Sequence, residues 1–172
     1  MKNILYTFLI AGLALWTVSC GSSDSSSSDS SSTATSESLS GNGVFIVAGL
    51  SGNILKSTDK GSSFDNLTSP TSKNLYGVEF GNSTFVVSGD NGTILKSTDN
   101  GSSFDIVASP TSNTLFDVGF GNNIFAAVGI SGSIVKSTDN GVTWDNATSP
   151  TANYLRSIVF GNNSFVAVGD SG

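Results

Sequence analysis

The sequence repeats itself every 40 residues from Gly41 onward, and this periodicity limits the possible folds more than any other feature. The segments 41–80, 81–120 and 121–160 align without gaps, and a fourth copy occupies residues 161–172. Repeats of about 40 residues form stacked units in which each unit contacts its neighbours. One unit of this length buries too little apolar surface to be stable alone. The chain must therefore fold as a series of similar units packed against one another.

Each complete repeat contains four short apolar runs separated by turn residues. One full blade runs from the end of the first copy through most of the second, and its apolar runs predict strands over 75–80, 84–88, 93–98 and 103–108, joined by segments rich in Gly, Asn, Asp and Pro. Four strands per repeat predict an all-β fold, a β-propeller of four-stranded antiparallel blades. The first blade, from Val44, lacks its innermost strand, and the last blade has only the strands predicted over 155–160 and 164–168. We therefore expect an incomplete propeller with two full and two partial blades.

One motif of eight residues, S-x-D-x-G-x-[ST]-[WF], lies between the third and fourth strands in the first three copies. Its aspartate can accept hydrogen bonds from turn amides, and its glycine can adopt a left-handed conformation. The aromatic residue is expected to pack inward. The motif residues are Ser57, Asp59, Gly61 and Phe64, then Ser97, Asp99, Gly101 and Phe104, then Ser137, Asp139, Gly141 and Trp144. The motif resembles the Asp-box of bacterial neuraminidase-type repeats, which implies a structural role in each blade.

The composition gives little support for catalysis or metal binding. The same aspartate recurs in every copy, whereas a catalytic site needs different groups that converge on one place. The D-x-D-x-D-G spacing of calcium loops is missing, and the chain has no histidine, a common metal ligand and general base. We therefore predict a protein that is not an enzyme, with no catalytic residue, no metal and no cofactor. The net charge of −6 argues against nucleic acid as a partner.

The wider repeat carries the patterns L-x-x-[VI]-x-F, F-x-x-x-G and [IV]-[LV]-K-S-T-D-x-G. With these patterns, residues 41–172 resemble the photosystem II stability and assembly factor family and its bacterial relatives. The resemblance implies a β-propeller and protein partners. Sialidases share the Asp-box, but resemblance to them also implies three arginines that hold a carboxylate. This chain contains one arginine, Arg156, which argues against sialidase activity.

The candidate binding residues come from positions at which the copies differ. The first strand of a propeller blade lines the central channel, and the copies differ there at Tyr76, Asp117 and Arg156. Together with Tyr154, these residues form the candidate binding face, where aromatic side chains would suit a protein or glycan ligand. The alternative is that these positions are solvated and free to vary.

The first forty residues differ in composition from the repeats. Residues 1–19 combine Lys2 with an apolar run over 4–18, which is too short for a bilayer span of about 20 residues. The stretch that closes this segment, Thr17-Val18-Ser19-Cys20, resembles the bacterial lipoprotein signal, which implies cleavage before Cys20 and lipid attachment to it. Ordinary secretion with a free Cys20 is the alternative. Residues 21–40 are rich in serine, so residues 20–40 are expected to form a lipidated, flexible tether.

These features predict a membrane-anchored propeller of the cell envelope, at the bacterial outer membrane or cell surface, that acts as a non-catalytic binding or assembly scaffold. A carbohydrate-binding surface propeller, or a glycoside hydrolase-like protein of the sialidase repeat type, is the alternative. Propellers close with about 4 to 8 blades. The smaller number of blades here predicts either a fragment of a longer propeller or self-association of copies through open blade edges.

Overall fold

The computed structural model describes residues 43–171. These residues form thirteen β-strands and three short 3-10 turns, at Leu50–Gly52, Asp90–Gly92 and Ile130–Gly132. The strands are β1 (Phe45–Ala48), β2 (Ile54–Ser57), β3 (Asp65–Leu67), β4 (Leu75–Gly81), β5 (Thr84–Gly89), β6 (Ile94–Ser97), β7 (Asp105–Val107), β8 (Leu115–Gly121), β9 (Ile124–Gly129), β10 (Ile134–Ser137), β11 (Asp145–Asn146), β12 (Leu155–Gly161) and β13 (Ser164–Gly169). The predicted signal peptide and tether, including Cys20, lie outside the described residues.

The strands form four sheets that follow the repeats. Sheet 1 has the strand order β1-β2-β3, sheet 2 has β4-β5-β6-β7, sheet 3 has β8-β9-β10-β11, and sheet 4 has β12-β13. All neighbouring strands in these sheets are antiparallel. The described residues contain no α-helix. The prediction of an incomplete all-β propeller with two full and two partial blades is confirmed.

The predicted strand bounds are close to the observed ones, and the largest difference is in the outer strand. In sheet 2, the first two strands extend one residue further than predicted, to Gly81 and Gly89. The fourth strand covers Asp105–Val107, although the sequence predicted 103–108. It starts later because the amide of Ser103 donates a hydrogen bond to the side chain of Asp99. The loop between the third and fourth strands is therefore longer than predicted, and the fourth strand is shorter.

The hydrophobic cores lie between successive sheets, and each is built from the same repeat positions. The core between sheets 1 and 2 unites Ile46 and Ile54 of sheet 1 with Leu75, Phe85 and Val87 of sheet 2. Equivalent positions form the cores between sheets 2 and 3 and between sheets 3 and 4. Burying one such side chain stabilises the fold by about 1.5 to 3 kcal/mol. Each sheet therefore depends on its neighbours for its stability.

The aromatic residue of the eight-residue motif packs onto the preceding sheet. Phe104, which is 5% exposed, belongs to the core between sheets 1 and 2, and Trp144, which is 6% exposed, belongs to the next core. Phe64 departs from the predicted inward packing, because it is 42% exposed. Phe64 lies in the loop of sheet 1, and the described residues include no sheet on that side. The motif therefore contributes its ring to a contact between blades.

Glycines at the ends of the first strands leave space for a phenylalanine ring of the following sheet. A Cβ atom on Gly81 would lie 2.3 Å from the ring of Phe120, and one on Gly121 would lie 2.0 Å from the ring of Phe160. Both distances are far below the contact distance of about 3.5 to 4.0 Å between carbon atoms. A side chain at Gly81 or Gly121 would therefore force the ring out of its place. At the third equivalent position, Gly161, a Cβ atom would meet no atom of residues 43–171 within 4 Å.

Hydrogen bonds connect the hairpin turns of successive sheets. Each turn between a first and a second strand holds residues with positive φ, such as Asn82 at 47° and Asn122 at 50°, as a two-residue type I′ hairpin requires. The side chain of Asn82 donates to Asn123 at 3.3 Å, and that of Asn122 donates to Asn163 at 2.6 Å. These bonds join the edges of sheets 2, 3 and 4.

Candidate functional site

The first strands of sheets 2, 3 and 4 contain a β-bulge at the same position. The pairing of β4 with β5 shifts in register between Leu75 and Gly77, and β8 and β12 shift at the equivalent residues. The bulged residues are therefore Tyr76, Phe116 and Arg156. A bulge leaves one residue outside the ladder and redirects its side chain, and bulges are frequent beside functional sites.

The three bulged side chains and Tyr154 form one partly exposed group, which we call the bulge cluster. The ring centroids of Tyr76 and Phe116 are 5.7 Å apart, and those of Phe116 and Tyr154 are 6.3 Å apart. The Cζ atom of Arg156 lies 4.9 Å from the Phe116 centroid and 5.3 Å from the Tyr154 centroid. These distances suit aromatic pairs and cation–π contacts. Tyr76 and Tyr154 remain 41% and 43% exposed, so aromatic surface is available to a ligand.

A bidentate ion pair fixes the guanidinium group of the bulge cluster. Arg156 Nε donates to Asp170 Oδ1 at 3.0 Å, and an Nη atom donates to Asp170 Oδ2 at 2.9 Å. The hydrogen bonds from Arg156 lower the pKa of Asp170, and those to Asp170 raise the pKa of Arg156. About half of each side chain is exposed. The guanidinium is thereby held over two rings while it stays open to solvent.

A second carboxylate occupies the equivalent place beside Tyr76. Asp90 Oδ1 accepts hydrogen bonds from the Tyr76 hydroxyl at 3.0 Å and from the Thr114 hydroxyl at 3.2 Å. Burial, together with the bond to Asp90, raises the pKa of Tyr76. Asp90 and Asp170 both follow the second strand of their sheets. In sheets 2 and 4, the polar bulged residue thus has a carboxylate partner 14 residues later.

Asp117, the fourth residue of the predicted binding face, connects sheets 3 and 4. Its Oδ2 atom accepts hydrogen bonds from the Ser157 hydroxyl at 2.7 Å and from the Ile158 amide at 2.9 Å. The Asp117 carboxylate is therefore hydrogen-bonded to sheet 4 and is not part of the bulge cluster. Glu79, which the sequence did not single out, lies half-buried near Asp117. Burial raises the pKa of Glu79, and the charge of Asp117 raises it further.

Three of the four predicted binding residues, Tyr76, Tyr154 and Arg156, are therefore brought together, and Phe116 joins them. The comparison of copies located the variable positions but did not reveal the bulge that exposes them. A signal for the bulge exists in the pattern L-x-x-[VI]-x-F. Its apolar residues are three and then two positions apart, whereas a regular strand alternates every two residues. The irregular spacing marks one extra residue in the strand.

The eight-residue motif forms a hydrogen-bonded loop in all three copies. Asp99 Oδ1 accepts bonds from the Ser97 hydroxyl at 2.7 Å and from the amides of Ser102 and Ser103 at 3.0 Å each. Ser97 in turn accepts the amide of Gly101 at 2.9 Å. The φ of 72° at Gly101 is in the left-handed region that favours glycine. The loop around Asp139 repeats all four bonds, and the loop around Asp59 repeats the bonds from the Ser57 hydroxyl and from the amides of Ser63 and Gly61.

The motif carboxylates are engaged within their own loops. Hydrogen bonds, above all from the Ser63 hydroxyl to Asp59 and from the Thr143 hydroxyl to Asp139, hold the pKa of both aspartates well below the usual range. Hydrogen bonds to a carboxylate stabilise its charged form, so these groups are poor proton donors near neutral pH. Over residues 43–171, no three His, Cys, Asp or Glu side chains lie close enough together to hold a metal ion. The same part of the chain has no helix that is both long and apolar enough to span a bilayer.

Solved structures share the fold, whereas no protein-family model and no curated protein matches the chain. YCF48 from Cyanidioschyzon merolae is similar with a TM-score of 0.62 and 19% identity, over 78% of this chain and 49% of that one. YCF48 bound to a D1 peptide gives a TM-score of 0.61 and 17% identity, over 73% of this chain and 43% of that one. The computationally designed protein Ika8 gives a TM-score of 0.62 and 14% identity, over 78% and 42%.

The TM-scores show that the chain and these structures share a propeller fold. The chain spans less than half the length of the three solved structures that it matches. The resemblance to assembly-factor repeats, drawn above from the sequence, is thus supported at the level of the fold.

Proposed function

We propose that this protein is a non-catalytic scaffold that binds a segment of another protein on the bulge cluster. The observation that carries the proposal is the convergence of the bulges, since three successive sheets each direct one side chain to the same exposed place. The framework positions of the repeat agree between copies, whereas Tyr76, Phe116 and Arg156 differ. A regular framework with one varied surface is suited to recognition.

The orientation of the rings favours a protein segment over a sugar. A sugar ring would stack on an open aromatic face, but the guanidinium of Arg156 lies over both Phe116 and Tyr154. The ring planes of Tyr76 and Phe116 meet at 62°, and those of Phe116 and Tyr154 meet at 48°, so the rings form no flat platform. Tyr and Arg are common anchors at the centres of protein interfaces.

The charges suggest which peptide would bind. The bulge cluster has one guanidinium, on Arg156, and two adjoining carboxylates, on Asp90 and Asp170. The chain as a whole carries a net charge of −6. A segment with an apolar side chain next to a basic one would complement this surface. The structure of YCF48 with a D1 peptide supports the idea that a propeller of this fold can hold a peptide.

We also infer that the scaffold is lipid-anchored in the cell envelope, at the outer membrane or the cell surface. The sequence of residues 1–20 supports this inference through its resemblance to a lipoprotein signal peptide that ends at Cys20. A flexible tether of about 20 residues has a mean reach of roughly 25 Å. Such a tether would hold the propeller clear of the lipid surface.

Selection from a random peptide display library tests the binding proposal. The bait is the full chain with Cys20→Ser, purified in detergent, and the matched bait adds Phe116→Ala and Arg156→Ala. We expect the first bait to enrich peptides with an apolar residue beside a basic one, and the second to bind them at least tenfold more weakly. A third bait with Ile106→Ala removes an apolar side chain that is 61% exposed on β7, outside the bulge cluster, and should bind like the first.

Two outcomes would contradict the proposal. Equal enrichment by the double variant would place the peptide site elsewhere on the protein. Failure to enrich any peptide, together with retention of a glycan on an array, would support the carbohydrate-binding alternative in its place.

A further inference from the structure

Sheet 4 exposes a face that is covered in the sheets before it. Val159 and Val168 are each 59% exposed and Val166 is 54% exposed. The residues equivalent to Val166 in sheets 2 and 3 are Val86 and Ala126, which are 1% and 5% exposed because the following sheet packs on them. We call the surface formed by Val159, Gly161, Val166 and Val168 the sheet 4 face.

The sheet 4 face includes an unfilled space that could hold an aromatic ring. The missing Cβ atoms of Gly81 and Gly121 make room for the rings of Phe120 and Phe160, which the following sheets supply. Gly161 stands at the same repeat position, and a Cβ atom there would meet no atom of the described part of the chain within 4 Å. The sheet 4 face therefore repeats the surface that accepts a phenylalanine elsewhere in the molecule, with that surface open.

The two interfaces on either side of sheet 3 indicate what fits such a face. In each one, the following sheet supplies the three apolar residues of an L-x-x-[VI]-x-F strand, which are Leu115, Val118 and Phe120 in sheet 3 and Leu155, Ile158 and Phe160 in sheet 4. Two strands are enough for this packing. Within the described residues sheet 4 has two strands, β12 and β13, and yet Leu155 and Ile158 are only 9% and 8% exposed.

We propose that the sheet 4 face is a docking site for a β-hairpin of a further repeat of this type, whose L-x-x-[VI]-x-F strand places its phenylalanine over Gly161. Sheet 1 of a second copy is a poor occupant, because its described strands begin at Phe45 and include no first strand that could supply the leucine or the phenylalanine. The sheet 4 face shares no residue with the bulge cluster, so this inference is independent of the proposed function.

A synthetic peptide with the sequence of residues 113–129 is the probe. It contains β8 and β9 and therefore the complete L-x-x-[VI]-x-F strand and its partner. Fluorescence anisotropy should detect its binding to the full chain with Cys20→Ser. A matched peptide with Phe120→Ala should bind at least tenfold more weakly, because it lacks the ring that fits over Gly161. A cyclised form of each peptide reduces the cost of ordering the hairpin.

The variant Gly161→Val tests the same contact by changing the protein in place of the peptide. Its side chain would occupy the place of the ring without meeting another atom of the described chain within 4 Å of Cβ, so it should melt at the same temperature as the parent. We expect it to bind the peptide at least tenfold more weakly. Equal affinity for the Phe120→Ala peptide, full binding by Gly161→Val, or no binding of either the linear or the cyclised parent peptide would overturn the proposal.

Discussion

Ser97 shows how a single hydroxyl group links the repeat sequence to stability. It is 3% exposed, donates to Asp99 and accepts the amide of Gly101. Ser57 makes the same bonds in sheet 1. The glycines differ, because Gly101 is buried near Ile46, whereas Gly61 is exposed and a Cβ atom on it would meet no described residue within 4 Å. The same motif therefore contributes more where a preceding sheet excludes water.

We predict that Ser97→Ala lowers the free energy of unfolding by about 1 to 2 kcal/mol, since it leaves a buried amide without its acceptor. Ser57→Ala should cost less than about 1 kcal/mol, because water can reach the amide of Gly61. Urea unfolding followed by circular dichroism measures both values. Equal losses would show that the preceding sheet does not influence the bond.

Individual residues also show what a repeat sequence can and cannot predict. The loop positions of Asp99, Ser97 and Gly101 were identifiable, because turn chemistry is local and depends on neighbours in the chain. The exposure of Phe64 and the attachment of Asp117 to sheet 4 were not. Both features depend on which sheet packs against the residue. A comparison of aligned copies does not contain this information, because it treats every copy as if it had the same neighbours.

The first strand of each complete sheet contributes side chains to the core between sheets and also carries the bulged residue that differs between copies. Its pattern L-x-x-[VI]-x-F supplies the core between sheets, and the extra residue within the pattern becomes the bulge. The strand ends in a glycine that seats the next phenylalanine. The number and order of strands could be predicted from the sequence, but the direction of the bulged side chains required the register of pairing with the second strand.

Substitution of the strand-end glycines should give opposite results in different sheets. Gly81→Ala places a methyl group against the Phe120 ring and should lower the free energy of unfolding by about 1 to 3 kcal/mol through overpacking. Gly161→Ala meets open space and should be neutral or stabilise by up to about 1 kcal/mol, since alanine reduces the entropy of the unfolded chain. Thermal unfolding of the two variants distinguishes these effects. A large loss for Gly161→Ala would mean that an unrecognised neighbour covers that position.

At the scale of the whole molecule, stability is distributed along a series of contacts between neighbours. Among residues 43–171, sheets 2 and 3 are packed on both faces, whereas each partial sheet is packed on one. The period of 40 residues was sufficient to predict this architecture. It could not identify a ligand, because the fold of a propeller is compatible with many functions.

The attachment of the whole molecule to a membrane is a prediction from the sequence around Cys20. In a bacterial host fed an alkyne-labelled fatty acid, the full chain should acquire the label and sediment with membranes. Cys20→Ala should lose the label and appear in the soluble envelope fraction, because the acyl chains provide the membrane affinity. Cys20→Ala that still carries the label would contradict lipid attachment at this residue.

The asparagine bonds between hairpin turns have a consequence for how such a protein can grow. Each bond joins a side chain to one 41 positions further along, from Asn82 to Asn123 and from Asn122 to Asn163. Both partners are encoded within the same short stretch of the repeated unit. A tandem duplication of a unit that carries both asparagines, such as residues 121–160 with Asn122 and Asn123, would therefore create the donor and the acceptor together, so a blade could be gained without a compensating mutation for this bond at its new border.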